Sequence, residues 1–250
     1  MSDSVSAAHG TQSREEGPRG LPRASAIIVA AGGSSRMHGV DKLFADIDGQ
    51  PLLYHTLAAF EACDGIDHVT LVLSLAAADR ALRLLRLSRF RKVDGTCVGG
   101  PRRQDSVSAG LRSLRACAWV VVHDGARPLV TPRLIEDGIA AALETGASSA
   151  GLPVVDTLKE VASDNSVLWT VERERLWSVQ TPQVFRFELL NEAHDRDDLE
   201  ATDDAGLVER IGGRVQLFPG SPENLKVTTS GDLLMAAALL HSRRVGSPKP

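Results

Sequence analysis

The chain has 250 residues, of which 43% are hydrophobic and 24% are charged, and its formal net charge at pH 7 is -4. The apolar content is enough for one sizeable core of an α/β domain, and the negative balance argues against a general nucleic-acid binder. Three sparse cysteines without metal-ligand spacing argue against a disulfide framework, so we expect a cytoplasmic protein. No apolar run approaches the about 18 residues of a membrane-spanning helix.

The two ends of the chain differ in composition from the rest. Residues 1–24 are polar and lack the apolar stretch of a secretory signal, so we predict a disordered N-terminal extension. An organellar transit peptide is the alternative, and the acidic residues Asp3, Glu15 and Glu16 count against it. Residues 244–250 are expected to form a loose C-terminal tail, which leaves residues 25–243 as a single domain.

Between these ends, strand-like and helix-like patterns alternate along the chain. Buried-strand patterns cover residues 26–30, 68–73, 119–123, 149–153 and 214–218. Helical spacing covers residues 52–62, 76–87, 106–114, 132–144, 186–195 and 230–241. This order predicts an α/β fold with a mostly parallel sheet and helices on both of its faces.

One segment breaks the alternation. Residues 154–171 contain two β-like runs around the polar sequence Ser-Asp-Asn-Ser, which favours a hairpin over a crossover helix. A two-stranded ribbon on its own is only marginally stable in water. The apolar side chains of this hairpin are therefore expected to need a surface to cover.

The first strand runs into a glycine turn that is followed by two cations. Ligands of parallel α/β sheets bind beyond the carboxyl ends of the strands, and a turn without side chains lets backbone N–H groups approach an anion. Arg36 and Lys42 would supply the positive charge that a triphosphate needs. The pattern is neither the dinucleotide fingerprint nor the P-loop. On spacing alone, a tight strand exit with two solvated cations stays open as an alternative.

The strand at residues 119–123 ends in a second polar group. Asp124, Gly125 and Arg127 follow it directly, and a carboxylate at this position can face bound phosphates or a metal–nucleotide complex. An Asx-turn, in which Asp124 bonds to its own loop, is the alternative. We expect the neighbouring His123 to be a structural residue rather than a general base.

Two further stretches carry polar residues at suitable positions. In "GGPRRQDSV" a glycine pair ending at Gly100 opens a loop, and Ser106 stands near the start of a helix. Arg102 and Arg103 between them are predicted to form a solvated basic patch. In "NLKVTTSGD" Lys226 lies in a short β-like run before the last helix, and by itself it would be an exposed lysine.

These four stretches, in this order, resemble the 2-C-methyl-D-erythritol 4-phosphate cytidylyltransferase family over about residues 25–240. The matching pieces are "AAGGSSRM", the lysine at position 42, "GGPRRQDSV", "VHDGARP", "DTLKEV", "TVERERLWSVQTPQVF", "TDDAGLVE" and "NLKVTT". The long "TVERERLWSVQTPQVF" piece and "NLKVTT" are specific to this family and to alditol-phosphate cytidylyltransferases. The resemblance implies a Rossmann-like, glycosyltransferase-A-type sheet and a protruding β-hairpin arm at residues 154–172 that joins a homodimer.

The resemblance also implies a reaction and a set of site residues. CMP would pass from CTP to 2-C-methyl-D-erythritol 4-phosphate, giving the CDP-linked product and pyrophosphate, in the non-mevalonate route to isoprenoid precursors. A divalent cation, Mg²⁺ by expectation, would be held mainly by the CTP phosphates, with Asp124 nearby. The implied catalytic residues are Arg36, Lys42, Arg173 and Lys226. The implied nucleotide-binding residues are Ala30, Ala31, Gly32, Gly33, Ser34, Gly100, Ser106, Asp124 and Gly125. The implied acceptor-binding residues are Arg127, Thr157, Arg173, Thr181 and Lys226, with Thr157 and Arg173 entering the partner's pocket.

The chain departs from the family pattern at three positions, and two other functions stay open. One of the three is Gly125, where the family usually has alanine, a tolerable change. Asp41 stands before Lys42 where the family usually has proline, and Pro101 stands where an acidic residue is common, which bears on selectivity for CTP. A cytidylyltransferase for ribitol phosphate or another alditol phosphate would share the same nucleotide loop. A nucleotide-binding regulatory module without turnover is the third reading, and the presence of all four cations disfavours it.

Overall fold

A computed structural model of the chain describes residues 20–32, 42–196 and 198–246. The strands in these ranges are β1 (Ala24–Ala30), β2 (Asp46–Ile47), β3 (Gln50–Pro51), β4 (Ile66–Leu73), β5 (Val93–Val98), β6 (Trp119–Asp124), β7 (Ala147–Pro153), β8 (Leu158–Val161), β9 (Val167–Val171), β10 (Trp177–Arg186) and β11 (Gln216–Pro219). The helices are α1 (Leu52–Ala62), α2 (Leu75–Ser88), α3 (Arg103–Ser113), α4 (Pro132–Ala142), α5 (Phe187–His194), α6 (Asp204–Arg210) and α7 (Ser230–Gly246), with a short 3-10 helix at Lys42–Phe44.

Seven of the strands in the described ranges form one sheet in the order β11-β7-β10-β6-β1-β4-β5. Strand β1, in the interior of the sheet, pairs in parallel with β4 and β6. Strand β10 runs antiparallel to both of its neighbours, β6 and β7. The edge strands β5 and β11 add parallel pairs. The mostly parallel sheet that the sequence predicts is therefore confirmed, with one antiparallel strand inside it.

The sheet separates two hydrophobic clusters. Successive side chains of a strand point to opposite faces, and β1 illustrates this: Ile28 packs with Phe60 of α1 on one face, whereas Ile27 packs with Val107 of α3 on the other. Helices α1, α2, α4 and α7 contribute to the first cluster, and α3, α5 and α6 to the second. Both faces of the sheet are thus covered by helices, as in other parallel α/β domains.

Local sequence signals set the helix ends. Ser74 caps α2 by accepting a hydrogen bond from the Ala77 N–H at 3.3 Å, and Thr131 caps α4 in the same way through the Leu134 N–H at 3.2 Å. Each side chain satisfies a backbone donor that has no partner inside its helix. Pro132 follows Thr131 at the first helical position, where its missing N–H costs no hydrogen bond.

The described elements that were not predicted from the sequence are β2, β3, β5, β10, α6 and the 3-10 helix. Strand β10 is the most instructive of them. It contains Pro182, and a proline normally argues against a central strand because it cannot donate to the ladder. Here the ladder with β7 is irregular between Val179 and Gln183, so the proline falls where the pairing is already interrupted. Strand β5 was missed because Asp94 and Gly95 obscure its pattern, and α6 because it has only seven residues.

The folded region extends past both predicted boundaries. Leu21 is buried in the first hydrophobic cluster and β1 starts at Ala24, so the predicted extension over residues 1–24 reaches too far into the domain. Helix α7 continues to Gly246, although residues 244–250 were predicted to be loose. Residues 1–19 and 247–250 lie outside the described ranges. None of the helices in those ranges combines the length and apolar character that a membrane span requires.

Strands β8 and β9 form the hairpin that the sequence predicts. They pair antiparallel, and Asn165 in the connection adopts a φ of 66°. Asparagine tolerates this left-handed conformation better than most residues. Much of the apolar surface of the segment faces solvent in the single chain: Val155 is 80% exposed and Trp169 is 53% exposed.

Candidate active site

A pocket of about 290 Å³ opens at the carboxyl ends of β1 and β6, where ligands of parallel α/β sheets bind. Its walls come from the end of β1, the 3-10 helix, the start of α3, the end of β6 and the loop before α7. The lining residues are Val29, Ala30, Ala31, Gly32, Lys42, Leu43, Gly100, Pro101, Arg102, Arg103, Ser106, Asp124, Ala126, Lys226 and Thr228.

Two short loops pack against each other on one side of the pocket. A Cβ atom at Gly99 would lie 2.5 Å from the Cβ of Ala31 and 2.6 Å from the Oγ of Ser106, so only glycine allows this approach. Ser106 donates its hydroxyl to the carbonyl of Arg102 at 3.1 Å, which fixes the loop on the first turn of α3. The loop that begins at Gly100 is therefore held next to the end of β1.

The carboxylate of Asp124 is the negative charge in this wall. Among the described residues it contacts three cations: the Lys226 ammonium at 2.9 Å, the Arg103 guanidinium at 3.4 Å and the Arg127 guanidinium at 3.4 Å. Burial by itself would raise the pKa of Asp124, but the three cations hold it below its ordinary value. The carboxylate is therefore ionised at neutral pH.

The loop that carries Lys226 is fastened to the loop after β6. The Val227 N–H donates to the carbonyl of Ala126 at 2.9 Å, and Arg127 donates to the carbonyl of Asn224 at 2.7 Å. The Asn224 side chain donates in turn to the carbonyl of Thr181 at 2.8 Å. The position of Lys226 is thus set by hydrogen bonds on both sides of it in the chain.

His123 and Thr181 support Asp124 from inside the domain. Thr181 Oγ1 accepts from the Asp124 N–H at 3.1 Å and lies 3.1 Å from Nδ1 of His123, while Nε2 of His123 lies 3.4 Å from the carbonyl of Arg127. A neutral imidazole satisfies all these contacts if Nε2–H donates to the carbonyl and Nδ1 accepts from the hydroxyl. Burial lowers the pKa of His123 to about 3. His123 is therefore a structural residue, as the sequence analysis expects.

The structure brings together most of the site residues that the sequence predicts. Ala30, Ala31, Gly32, Lys42, Gly100, Ser106, Asp124 and Lys226 line the pocket. Gly125, Arg127 and Thr181 lie directly behind it, since the Gly125 N–H donates to the Val29 carbonyl at 2.9 Å and the other two contact Asp124. Gly33, Ser34 and Arg36, together with Asp41, lie outside the described ranges.

Thr157 and Arg173 lie apart from the pocket in the single chain. They flank the β8–β9 hairpin, and both side chains are exposed. The Arg173 guanidinium donates to the carbonyl of Val155, across the base of the hairpin. These two residues are not among the residues that line the pocket in the described part of this chain.

Arg103 is the pocket residue that the sequence analysis misjudged. It was predicted to be solvated together with Arg102, and Arg102 is indeed exposed. The side chain of Arg103 is only 25% exposed and lies between two carboxylates, 2.6 Å from Asp204 and 3.4 Å from Asp124. Neither partner is near it in sequence, so no local pattern could have revealed these contacts.

The described residues contain no group of three or more His, Cys, Asp or Glu side chains arranged to hold a metal ion. Among the described residues that line the pocket, Asp124 is the one with a carboxylate. Mg²⁺ is often held by one or two carboxylates together with substrate phosphates and water. The available protein donors therefore fit a divalent ion that is bound mainly by the phosphates of a nucleotide.

Comparison with known proteins places the chain in a family. The sequence model of the 2-C-methyl-D-erythritol 4-phosphate cytidylyltransferase family matches residues 24–242. The chain belongs to this family. Among cytidylyltransferases with that name, the protein of Dehalococcoides mccartyi is 47% identical over 222 residues, which is 89% of this chain and 98% of the relative. The protein of Alkaliphilus oremlandii is 40% identical over 233 residues, which is 90% of this chain and 98% of that relative.

Solved cytidylyltransferase structures share the fold. The crystal structure of 2-C-methyl-D-erythritol 4-phosphate cytidylyltransferase from Thermus thermophilus has a TM-score of 0.71 at 35% identity, covering 88% of this chain and 99% of that one. The crystal structure of 4-diphosphocytidyl-2C-methyl-D-erythritol synthase from Anaerococcus prevotii has a TM-score of 0.76 at 28% identity, covering 88% and 98%. The family resemblance and the Rossmann-like fold that it implied are thus both confirmed.

Proposed function

We propose that this protein transfers CMP from CTP to 2-C-methyl-D-erythritol 4-phosphate, releasing pyrophosphate, in the non-mevalonate route to isoprenoid precursors. The observation that carries the proposal is the pocket at the ends of β1 and β6, in a chain that belongs to the cytidylyltransferase family. Lys42, Arg103 and Lys226 supply positive charge there, and glycine-containing loops leave backbone N–H groups accessible. A triphosphate is the kind of ligand that this combination suits.

The transfer needs charge stabilisation more than covalent chemistry. An oxygen of the acceptor phosphate forms a bond to the α-phosphorus of CTP, and the bond from that phosphorus to the bridging oxygen breaks as pyrophosphate leaves. Negative charge grows on the α-phosphoryl oxygens and on the leaving group, where fixed cations lower the barrier. We assign this work to Lys42 of the pocket and to Arg36, on the family resemblance.

The remaining assignments also rest on the pocket geometry and on the family resemblance. Residues 30–34, Gly100, Ser106, Asp124 and Gly125 are proposed to hold the nucleotide. Arg127, Thr157, Arg173, Thr181 and Lys226 are proposed to hold and orient the acceptor. A divalent ion, Mg²⁺ in this proposal, would be held mainly by the CTP phosphates, with Asp124 as the residue of this chain that could help to hold it, and it would screen the phosphate charges. We also place the enzyme in the cytoplasm, which is where a protein with few cysteines and no disulfide framework is expected.

We infer that the protein works as a homodimer joined through the arm at residues 154–172. The exposed apolar side chains of the hairpin, including Val155, Leu168 and Trp169, give it a surface that a second subunit can cover. Thr157 and Arg173 would then reach the partner's acceptor pocket, which explains why they lie apart from the pocket of their own chain. A hairpin that covers only its own domain is the competing arrangement.

The test is a substrate panel measured by pyrophosphate release. CTP is offered with 2-C-methyl-D-erythritol 4-phosphate, ribitol 5-phosphate and erythritol 4-phosphate, and each acceptor is repeated with UTP, ATP and GTP. The proposal expects the highest kcat/KM for the methylerythritol phosphate with CTP. A preference for ribitol 5-phosphate would assign the chain to the alditol-phosphate reaction instead. Tight CTP binding without release from any acceptor would indicate a regulatory nucleotide-binding protein.

A further inference from the structure

A continuous line of polar contacts runs from the interior of the domain to the pocket. It begins at Ser108 on α3 and His194 at the end of α5, whose Oγ and Nδ1 atoms lie 2.9 Å apart. His194 Nε2 lies 2.9 Å from one oxygen of Asp204, and Nη1 of Arg103 lies 2.6 Å from the other. Arg103 reaches Asp124, which contacts Lys226. The line therefore joins α3, α5 and α6 to the floor of the pocket.

Asp204 is the carboxylate of this line that the proposed reaction does not use. Its side chain is 1% exposed and it does not line the pocket in the described part of the chain, so it has no access to substrate. Burial would raise the pKa of Asp204, but Arg103 and the hydrogen bond from His194 hold it below its ordinary value. A buried carboxylate kept ionised in this way costs free energy unless its partners are fixed in place.

The contacts of Arg103 show what Asp204 can do. Among the described residues, Nη2 of Arg103 is buried without a hydrogen-bond partner, so the guanidinium depends on Asp204 and Asp124. If Asp204 lost its charge, Asp124 alone would compensate the guanidinium. Arg103 would then compete more strongly with Lys226 for the same carboxylate, and the positions of both Asp124 and Lys226 would change.

The start of α6 is built to hold Asp204 still. The side chain of Gln183, in the middle of β10, donates to Asp203 at 2.6 Å and accepts from the Ala205 N–H at 3.3 Å. Asp203 also caps the helix through the Gly206 N–H at 3.0 Å. The residues on both sides of Asp204 are thus attached to a central strand of the sheet, which makes Asp204 a fixed point for Arg103.

We propose that Asp204 is a positioning residue for the transfer step: by holding Arg103 from behind, it fixes the carboxylate of Asp124 and, through it, the ammonium of Lys226 at the pocket. This inference rests on the proposed function, because it concerns the same pocket. It assigns a role to two residues, Arg103 and Asp204, that neither the spacing of the motifs nor the family resemblance singled out. The role is indirect, since Asp204 contacts neither the nucleotide nor the acceptor in this account.

The experiment compares Asp204→Asn with Glu209→Gln in the full-length protein. Both changes replace a carboxylate of α6 by an amide of the same shape, but Asp204 contacts Arg103, whereas Glu209 lies on the exposed face of the helix. Calorimetry with CTP measures the concentration of functional binding sites, and kcat is calculated per binding site. Unfolded protein binds no CTP and therefore does not lower the calculated kcat. We expect Asp204→Asn to lower kcat about ten- to a hundredfold, because small misplacements of reacting groups cost rates of this order. The KM for CTP should not rise, since the pocket becomes more positive. Glu209→Gln should keep the kcat of the wild type.

A double-variant cycle asks whether Asp204 acts through Arg103. Arg103→Met removes the guanidinium through which Asp204 is proposed to act. The double variant Arg103→Met/Asp204→Asn should therefore turn over CTP no more slowly than Arg103→Met alone, because the loss of the Asp204 charge can no longer move Arg103. The double variant also removes both buried charges together, so it stays informative if Asp204→Asn alone does not fold. Additive losses, or equal kcat losses in Glu209→Gln and Asp204→Asn, would overturn the inference. A wild-type protein without transferase activity would instead contradict the proposed function.

Discussion

Three cations from three separate parts of the chain converge on the carboxylate of Asp124. Arg103 comes from the start of α3, Arg127 from the loop after β6 and Lys226 from the loop before α7. With Asp204 included, the cluster has three positive and two negative charges, so its net charge favours an anion. The pocket can therefore attract a triphosphate while its own carboxylate stays ionised.

Lys42 is the described residue to which we assign the largest direct effect on rate. It lines the pocket from the first position of the 3-10 helix. Lys42→Ala should lower kcat about 10²–10³-fold with a much smaller change in the acceptor KM, because its contact strengthens in the transition state. Steady-state kinetics check this, with Arg83→Ala on the exposed face of α2 as a control. A variant with wild-type kcat would remove Lys42 from the catalytic residues.

His123 predicts an acid dependence of stability. Its pKa is about 3 in the folded protein, below the ordinary value of 6.5, because burial disfavours the charged form. The unfolded chain therefore binds one more proton between these two pH values. The contribution of His123 is fully present above pH 6.5 and is lost as the pH falls, at up to about 1.4 kcal/mol of unfolding free energy per pH unit.

Denaturant titrations from about pH 7 to about pH 4 measure this slope. His123→Gln should flatten the fall in unfolding free energy with decreasing pH relative to the wild type. Equal slopes in the wild type and in His123→Gln would show that His123 becomes protonated without cost in the folded protein.

At the level of elements, the sequence predicted those whose pattern is local. Strands β1, β4 and β6 contain the apolar runs that predicted them, and α1 was predicted with its observed bounds, Leu52–Ala62. Strand β10 could not be predicted because Pro182 is tolerated only through an irregular ladder with β7, and a ladder is a property of two strands. The burial of Arg103 depends in the same way on carboxylates 21 and 101 residues away.

Helix α3 lies unusually close to the sheet at Gly110. A Cβ atom there would lie 2.7 Å from Cγ2 of Ile27 and 3.2 Å from Cγ2 of Val72. Gly110→Ala should therefore lower the unfolding free energy by about 1–3 kcal/mol, as overpacking does in other cores. It should also lower activity, since α3 carries Arg103 and Ser106 to the pocket.

A matched glycine provides the control for this prediction. Gly231 lies in the first turn of α7, where an added Cβ would meet only the Thr229 hydroxyl at 3.7 Å. Gly231→Ala should leave stability unchanged or raise it by up to about 1 kcal/mol, because alanine restricts the unfolded chain. Thermal melts of both variants test the pair, and equal stabilities would show that α3 can move away from β1 without cost.

At the level of the whole molecule, the proposed complete site needs a second subunit. The pocket of one chain contains Lys42 and Lys226, whereas Thr157 and Arg173 lie at the exposed hairpin. If the arm is shared, each complete site combines Lys42 of one subunit with Arg173 of its partner. Two-fold symmetry then gives two such sites per dimer.

Mixing inactive variants tests the shared site. Lys42→Ala and Arg173→Ala chains that exchange subunits should form mixed dimers with one site carrying both lesions and one carrying neither, so about a quarter of the wild-type activity should return after random exchange. Lys42→Ala mixed with Lys226→Ala is the control, because both residues line the pocket of the same chain and no mixed site is intact. Exchange confirmed by mass without recovered activity would show that Arg173 acts in its own subunit.

The most direct test of the central claim is the identity of the product. The protein is incubated with Mg²⁺, CTP and 2-C-methyl-D-erythritol 4-phosphate, and ³¹P NMR follows the phosphorus signals. The account predicts that one diphosphate-linked cytidine product and one pyrophosphate appear for each CTP consumed, and that neither appears when the acceptor is left out. CTP that stays intact with this acceptor, or that is converted to CMP and pyrophosphate by water alone, would contradict the assignment.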